Sequence, residues 1–100
     1  MKTSKIAARW WANQLRKEIP EEEEKIKNFE NLLVGAIDKF LKKNPYMCLN
    51  SNRKPLYITH IFAEKVGLEK KEFFPENTMM VVDKTTVKVM KDSDSFIVIQ

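Results

Sequence analysis

Cysteine, histidine and glycine are scarce in this chain of 100 residues, which contains one, one and two of them respectively. Tetrahedral zinc sites need several Cys or His ligands, and a Ser-His-Asp triad needs a histidine, so Cys48 and His60 alone argue against both. Gly35 and Gly67 are too few for a phosphate-binding loop or a dinucleotide fingerprint. A Cys48–His60 pair is the one catalytic arrangement left, and we interpret Cys48 instead as a small buried residue and His60 as an ordinary helix residue. The sequence therefore predicts a protein that is not an enzyme and that binds no cofactor and no metal.

Long apolar runs are also missing. No stretch approaches the ~18 apolar residues of a membrane span, and Met1 to Lys17 lacks the apolar core of a signal peptide. Small secreted domains usually depend on paired cysteines, which a chain with one cysteine does not supply. We therefore expect a cytoplasmic protein that does not enter a membrane.

The composition is that of one folded domain. Hydrophobic residues make up 43% of the chain, and a length of 100 residues suffices for one hydrophobic core but not for two. We expect a single domain that spans residues 1–100. Its formal net charge of +4 admits nucleic acid as a partner without requiring it.

Two long helices are predicted in the first half of the chain. Ser4 can cap the first helix, and the apolar positions that follow fall on one helix face. These positions are Ala8, Trp11, Ala12, Leu15 and Ile19. Pro20 fits the first turn of a second helix, where Glu21 to Glu24 complement the positive end of the helix dipole. Apolar residues then continue at helical spacing until Asn44-Pro45 ends the helix.

The second half of the chain is predicted to change from helix to strand. We interpret Asn44 to Lys54 as a loop and Pro55 as the start of a short third helix, which a Gly67-Leu68 C-cap closes. Segments rich in β-branched residues then predict three antiparallel strands. They are Thr78–Val82, Thr86–Met90 and Phe96–Ile99. The predicted fold class is therefore α+β, with two long helices and one short helix packed on a C-terminal three-stranded antiparallel sheet.

Charge is segregated along the first helix. Five basic residues and no acidic one lie between Lys2 and Lys17, before the glutamates begin. Four of them share the face opposite the apolar one, and we call this set the basic stripe. It consists of Lys2, Lys5, Arg9 and Arg16. Trp10 and Ile6 lie at its edge, so either another element or a partner has to cover them.

Like charges gathered on one face add little to folding, so the basic stripe indicates a surface for a partner. The predicted partner-binding residues are Lys5, Arg9, Trp10, Arg16, Arg53 and Lys54. The cations of the stripe would steer the partner and Trp10 would anchor it. Arg53 and Lys54 belong to a second basic area, since no acidic residue occurs between Asp38 and Glu64. The alternative interpretation is that lysines, which are fifteen of the eighteen basic residues, keep a small protein soluble.

Two stretches of the chain resemble proteins of bacteriophages and prophages. They are Ala7-Ala8-Arg9-Trp10-Trp11-Ala12-Asn13-Gln14-Leu15 and Phe74-Pro75-Glu76-Asn77-Thr78-Met79-Met80-Val81-Val82, with the helix that ends at Gly67 between them. In this order they are similar to small, uncharacterised phage- and prophage-encoded proteins. Such proteins often act without catalysis by binding a host or defence machine. The resemblance therefore implies an anti-CRISPR-like inhibitor in the cytoplasm of a bacterial host, and it assigns no functional residue.

Three binding hypotheses stay open. The leading one is a protein-binding module that occludes a host or defence complex through the first helix. The second is a nucleic-acid-binding accessory protein that uses the same residues on phosphates and bases. The third is a homodimer that buries Trp10 and Ile6 between two copies.

Overall fold

The computed structural model describes residues 2–51, 58–68, 77–92 and 95–99, and for Ile58 and His60 the backbone alone. Helices α1 (Lys2–Glu18) and α2 (Glu23–Leu41) come first and are joined by a 3-10 turn at Pro20–Glu22. The remaining elements are β1 (Tyr46–Ser51), α3 (Ile58–Lys65), β2 (Thr78–Asp83), β3 (Val87–Lys91) and β4 (Ile97–Val98). The α+β fold class is thereby confirmed.

The two long helices pack against each other through their predicted apolar faces. On α1 the buried residues include Ala8, Trp11, Ala12 and Leu15, and on α2 they are Ile26, Phe29, Leu33, Ile37 and Leu41. The predicted cap at Ser4 is wrong, because α1 already begins at Lys2 and Ser4 lies buried within the helix. Its hydroxyl binds the carboxylate of Asp38 on α2 instead. Burial acts to raise the pKa of Asp38, but this hydrogen bond and positive charge such as that of Lys42 outweigh burial, so the pKa lies below its usual value.

The sheet has four antiparallel strands in the order β1-β2-β3-β4. The predicted loop from Asn44 to Lys54 is therefore wrong over Tyr46–Ser51, which forms β1 and pairs with β2. Side chains alternate between two faces of the sheet. The face toward the helices carries the buried residues Met47, Leu49, Ser51, Thr78, Met80, Val82, Val87 and Val89. We call the opposite side the open face.

The same alternation corrects the interpretation of Cys48. We expected a small buried residue, but Cys48 is exposed. It stands between buried Met47 and buried Leu49 on β1, so the strand directs it to the open face. Its apolar sequence neighbours suggested a buried site, whereas the strand period places it on the other side.

The predicted C-cap of the third helix is confirmed. The Leu68 amide donates to the Ala63 carbonyl at 2.8 Å, and the Gly67 amide donates to the Glu64 carbonyl at 3.0 Å, which is the Schellman pattern. Gly67 has a φ of +93°, and Leu68 is buried against the core. Pro55, the predicted start of this helix, lies outside the described residues.

α1 also ties the helix layer to the sheet. The Thr3 hydroxyl donates to the Asp83 carbonyl at 2.6 Å, at the β2–β3 turn. Further along α1, Ile6 and Trp10 are half-buried and pack against the core. The sequence required either another element of the fold or a partner to cover these two side chains. The chain's own core covers part of both. The described residues share one hydrophobic core formed by helices and sheet.

Asp83 organises the turn between β2 and β3. Its Oδ1 accepts the Thr85 amide at 2.8 Å and the Thr86 amide at 2.6 Å, and its Oδ2 accepts the Thr86 hydroxyl at 2.9 Å. The amides of Thr85 and Thr86, followed by the Thr86 hydroxyl, lower the pKa of Asp83 to about 2. The turn thus holds a carboxylate that is stabilised in its charged form.

Alanine at the two glycines should change stability in opposite directions. Gly67→Ala should lower the free energy of unfolding by about 1 kcal/mol, because a Cβ makes the left-handed conformation costly. The strain is in the backbone, since the added Cβ would lie at an ordinary 3.5 Å from Lys25 Cε. Gly35→Ala is the matched control in the interior of α2, where the added Cβ would meet no described atom within 4 Å apart from its chain neighbours and the nearby backbone of its own helix. It should raise the free energy of unfolding by about 1 kcal/mol. Urea unfolding measures both, and equal signs would contradict the assigned φ of Gly67.

The Asp83 carboxylate should make the turn acid-sensitive. Its pKa in the folded chain is about 2, below the unfolded value of about 3.9, so it stabilises the fold above about pH 4 and loses this effect as the pH falls toward 2. Asp83→Ala should therefore lower the Tm near neutral pH. The difference in Tm between the two proteins should shrink between about pH 4 and the lowest pH at which wild type still folds. A constant difference over that range would contradict the role of the charge.

Candidate functional site

The basic stripe lies on the outer face of α1, opposite the buried Trp11 and Leu15. Lys2, Lys5 and Arg9 are exposed, as the helical spacing predicted. Arg16 is only partly exposed, because the first part of α2 packs beside it. The four members of the stripe therefore do not share one environment.

Arg16 is held by two carboxylates of α2. Its Nε donates to both Glu23 oxygens at 3.1 and 3.0 Å, and its Nη2 donates to Glu30 Oε1 at 2.9 Å. Nη1 donates to Asn13 Oδ1 at 2.9 Å. Most of the guanidinium's donors are thus used within the protein, in the forked geometry that arginine offers to carboxylates. We call Arg16, Glu23 and Glu30 the arginine clamp.

The clamp shifts the pKa values of Arg16 and Glu23. The hydrogen bond to Glu23 and then the contacts with Glu30 raise the pKa of Arg16 against the opposing effect of burial. The same hydrogen bond lowers the pKa of Glu23. The Arg16 side chain is 26% exposed and that of Glu30 14%, so solvent screens this pair less than an ordinary surface ion pair. The clamp therefore belongs to the structural contacts between the helices.

The acidic run thereby acquires a second role. We attributed Glu21 to Glu24 to the helix dipole, and Glu23 and Glu24 do lie in the first turn of α2. Glu23 also neutralises Arg16, and Glu22 pairs with Lys25 at 3.4 Å. The charge reversal between the two helices is thus partly an attraction between them.

Arg9 differs from Arg16 in its availability. Its Nε lies 3.6 Å from Glu30 Oε2, and its side chain is 72% exposed. Glu30 already accepts the shorter bond from Arg16. Arg9 therefore keeps most of its donors for a partner.

Trp10 lies on the side of α1 that faces the sheet. Its ring meets Trp11 edge-on, with centroids 4.9 Å apart and an interplanar angle of 84°. Lys91 Nζ, at the end of β3, lies 5.5 Å from the centroid of Trp10. The ring thus lies between the core and a surface cation. This contact brings Lys91, which is far away in sequence, next to the basic residues of α1.

Three members of the basic stripe are exposed, and two further lysines lie beside them. We call this set, which leaves out Arg16, the exposed basic surface. It consists of Lys2, Lys5, Arg9, Lys17 and Lys91. Among the described residues, none of these four lysines has an ion pair within 4.0 Å. Lys17 and Lys91 were missed as candidates. Helical spacing places Lys17 beside Trp10, but no local sequence signal connects Lys91 to α1.

The second basic area is described in part. Lys39, Lys42 and Lys43 are exposed near the end of α2, next to an exposed Tyr46. Arg53 and Lys54 lie outside the described residues, so their predicted partner contacts stay predictions. The described part of this area therefore includes exposed lysines, but not the predicted contact residues Arg53 and Lys54.

A depression of about 300 Å³ lies at the end of the sheet where β1 ends, β2 begins and β3 ends. It is lined by Asn50, Ser51, Asn77, Thr78, Met79, Met90 and Asp92.

Within the described part of the chain, no three His, Cys, Asp or Glu side chains gather closely enough to hold a metal ion. None of the helices in that part is long and apolar enough to span a bilayer.

Comparisons of the chain with protein-family models, with curated proteins and with solved structures gave no match. The charges, contacts and exposure of the chain's own residues are therefore the guide to its function.

The arginine clamp should contribute measurably to stability. A double-mutant cycle of Arg16→Met and Glu30→Gln should give a coupling free energy of about 1 kcal/mol, because the pair is partly buried and belongs to a network. Raising the salt to about 1 M should reduce this coupling. The matched cycle of Arg9→Met and Glu30→Gln should give less than about 0.5 kcal/mol, since Arg9 is mostly exposed. Urea unfolding measures wild type and all five variants (three single and two double), and equal couplings in the two cycles would contradict the distinction between the two arginines.

Proposed function

We propose that the protein is a small, non-enzymatic interaction protein that binds a host or defence nucleic-acid-processing complex through α1 and modulates or inhibits it. The observation that carries the proposal is the exposed basic surface, whose lysines form no ion pair within 4.0 Å among the described residues. Arg16, in contrast, is satisfied within the arginine clamp. The proposed contact residues on α1 are therefore Lys5 and Arg9, with Trp10 beside them. A phage or mobile-element origin, which the sequence resemblance implies, is part of the same proposal.

The charge pattern supports binding by electrostatic steering. From Lys2 to Lys17 the exposed cations extend over roughly 22 Å of helix, at ~1.5 Å per residue. An array of one sign accelerates encounter with an acidic surface and opposes encounter with a basic one. Each exposed charge adds only about 0.2–1 kcal/mol, so the affinity of a complex has to come partly from apolar contact. The half-buried Trp10 is the apolar group that lies next to the cations.

The surroundings of Trp10 favour a protein over a stacked base as the contact. A base that stacks on an indole needs a free ring face. The Trp10 ring is half-buried against the core and makes a T-shaped contact with Trp11, and Lys91 Nζ lies over it, 5.5 Å from its centroid. A base that stacked on the ring face under Lys91 would have to displace Lys91, whereas an acidic protein side chain can pair with Lys91 where it is.

Binding to nucleic-acid phosphates is the second candidate. The unpaired lysines of α1 favour it, because point charges on flexible stems suit phosphate contacts that do not read sequence. Such a complex would depend steeply on salt, since each phosphate contact releases counterions. An anchored protein interface would change much less with salt.

A pair of matched variants tests the proposal. Lys5→Gln/Arg9→Gln removes two charges from the exposed basic surface. The control, Lys65→Gln/Lys84→Gln, removes two exposed charges from α3 and from the β2–β3 turn, so both variants have the same net charge. Tagged wild type and both variants are incubated with bacterial lysate, with and without nuclease, and the bound proteins are quantified after circular dichroism has verified folding.

We expect a protein partner that survives nuclease, binds the control as it binds wild type, and is lost or reduced at least tenfold with the Lys5/Arg9 variant. A partner that disappears with nuclease supports the nucleic-acid candidate. In that case the slope of log affinity against log salt should fall by about 2 in the Lys5/Arg9 variant. Equal binding by both variants would contradict a role for α1.

A further inference from the structure

The two edges of the sheet are covered differently. At the β1 edge, the buried Thr59 of α3 donates its hydroxyl to the Asn50 carbonyl at 3.2 Å. α3 thus packs on β1 and donates to one of its backbone carbonyls. Among the described residues, no element pairs with the outer edge of β4. Natural sheets seldom leave such an edge without protection, because its free amides and carbonyls can pair with another strand.

The register determines which backbone groups of β4 are free. The Ile99 amide donates to the Val87 carbonyl at 2.9 Å, and Val98 lies opposite Lys88. In an antiparallel ladder, successive residues direct their N–H and C=O groups alternately toward and away from the neighbouring strand. Ile97 and Ile99 therefore pair toward β3, and the N–H and C=O of Val98 point outward.

The side chains around this edge are apolar and exposed. Phe96 is 42% exposed, Ile97 68% and Val98 58%. These three consecutive residues are half of the six large hydrophobic side chains that are exposed in the described part of the chain. Edge strands are usually guarded by Lys, Pro or inward-pointing charges, and residues 95–99 contain none of these. Free backbone groups together with exposed apolar side chains on both faces indicate a strand as the occupant.

We propose that β4 pairs with β4 of a second copy of the chain, antiparallel and about a two-fold axis. A strand that pairs with β4 should have apolar side chains on both of its faces. It should also place no charged side chain beside the uncharged β4. β4 has this character itself, so no like charges oppose each other across the junction. The register that places Val98 opposite its counterpart lets the two residues exchange both hydrogen bonds. It also places Ile97 opposite Ile99 of the other copy.

The pairing has a consequence for the proposed binding surface. Two four-stranded sheets would join into one eight-stranded sheet. A two-fold axis through an antiparallel strand pair is perpendicular to the sheet, so both helix layers lie on the same side. The dimer would thus present two copies of α1 on that side, and a target would meet two basic surfaces.

Val98→Pro is the decisive variant. Proline removes the Val98 amide, which does not pair with β3, so the fold within one chain is retained while pairing between chains is lost. Val98→Lys is a second variant that guards the edge with a charge. Ile61→Lys is the control, since it adds the same charge at an exposed apolar residue of α3. Light scattering after size exclusion, over a hundredfold range of concentration, measures the mass, and hydrogen exchange measures protection of the Val98 amide.

We expect wild type and Ile61→Lys to reach a mass of twice 11.8 kDa, with a protected Val98 amide. Val98→Pro and Val98→Lys should stay at 11.8 kDa with native circular dichroism. A wild type that is monomeric at every concentration overturns the proposal, including the case in which another protein's strand occupies the edge. A dimer whose Val98 amide exchanges freely overturns it as well, because another surface then forms the interface.

Discussion

The structure depends on α1, which packs both against α2 and against strands β2 and β3 of the sheet. Small residues such as Ala8 and Ala12 let the layers approach closely, while Trp11 fills the volume between them. Thr3 and Ser4 fix the same helix by polar contacts, to the Asp83 carbonyl and to the Asp38 carboxylate. A helix that is buried on this side can offer a partner only its opposite face. Lys2, Lys5 and Arg9 of the basic stripe therefore lie on the side of α1 that the fold leaves exposed.

The helices were predictable because their apolar positions repeat with the helical period over many residues. β1 was not, because the segment is short, is flanked by polar residues, and begins directly after a proline. Its inward positions are Met47, Leu49 and the polar Ser51, while the outward Cys48 is apolar. The alternation of burial is therefore regular, whereas the alternation of residue type is not. Pairing with β2 decides the strand, and a local pattern contains no information on that pairing.

The candidate site, too, was predictable from the sequence only in part. Helical spacing was enough to place Lys5, Arg9 and Arg16 on one face of α1. The separation of Arg16 from the others depends on how α2 crosses α1, which places Glu23 and Glu30 against it. The contact between Trp10 and Lys91 joins residues far apart in sequence through the packing of α1 on β3. Contacts that depend on tertiary packing cannot be read from the period of a single helix.

The distribution of charge bears on whether the two proposed binding surfaces can exist side by side. Self-association through α1, which would bury Trp10 and Ile6, has to bring together two surfaces rich in lysine, and both residues already pack against their own core. Like charges at close range oppose such a contact. β4 has no charge between residues 95 and 99, so two copies can approach there without this cost. Pairing through β4 would also leave the cations of α1 exposed. The proposed surface for an acidic target and the proposed surface for a second copy are thus compatible in one small domain, because they lie on different elements.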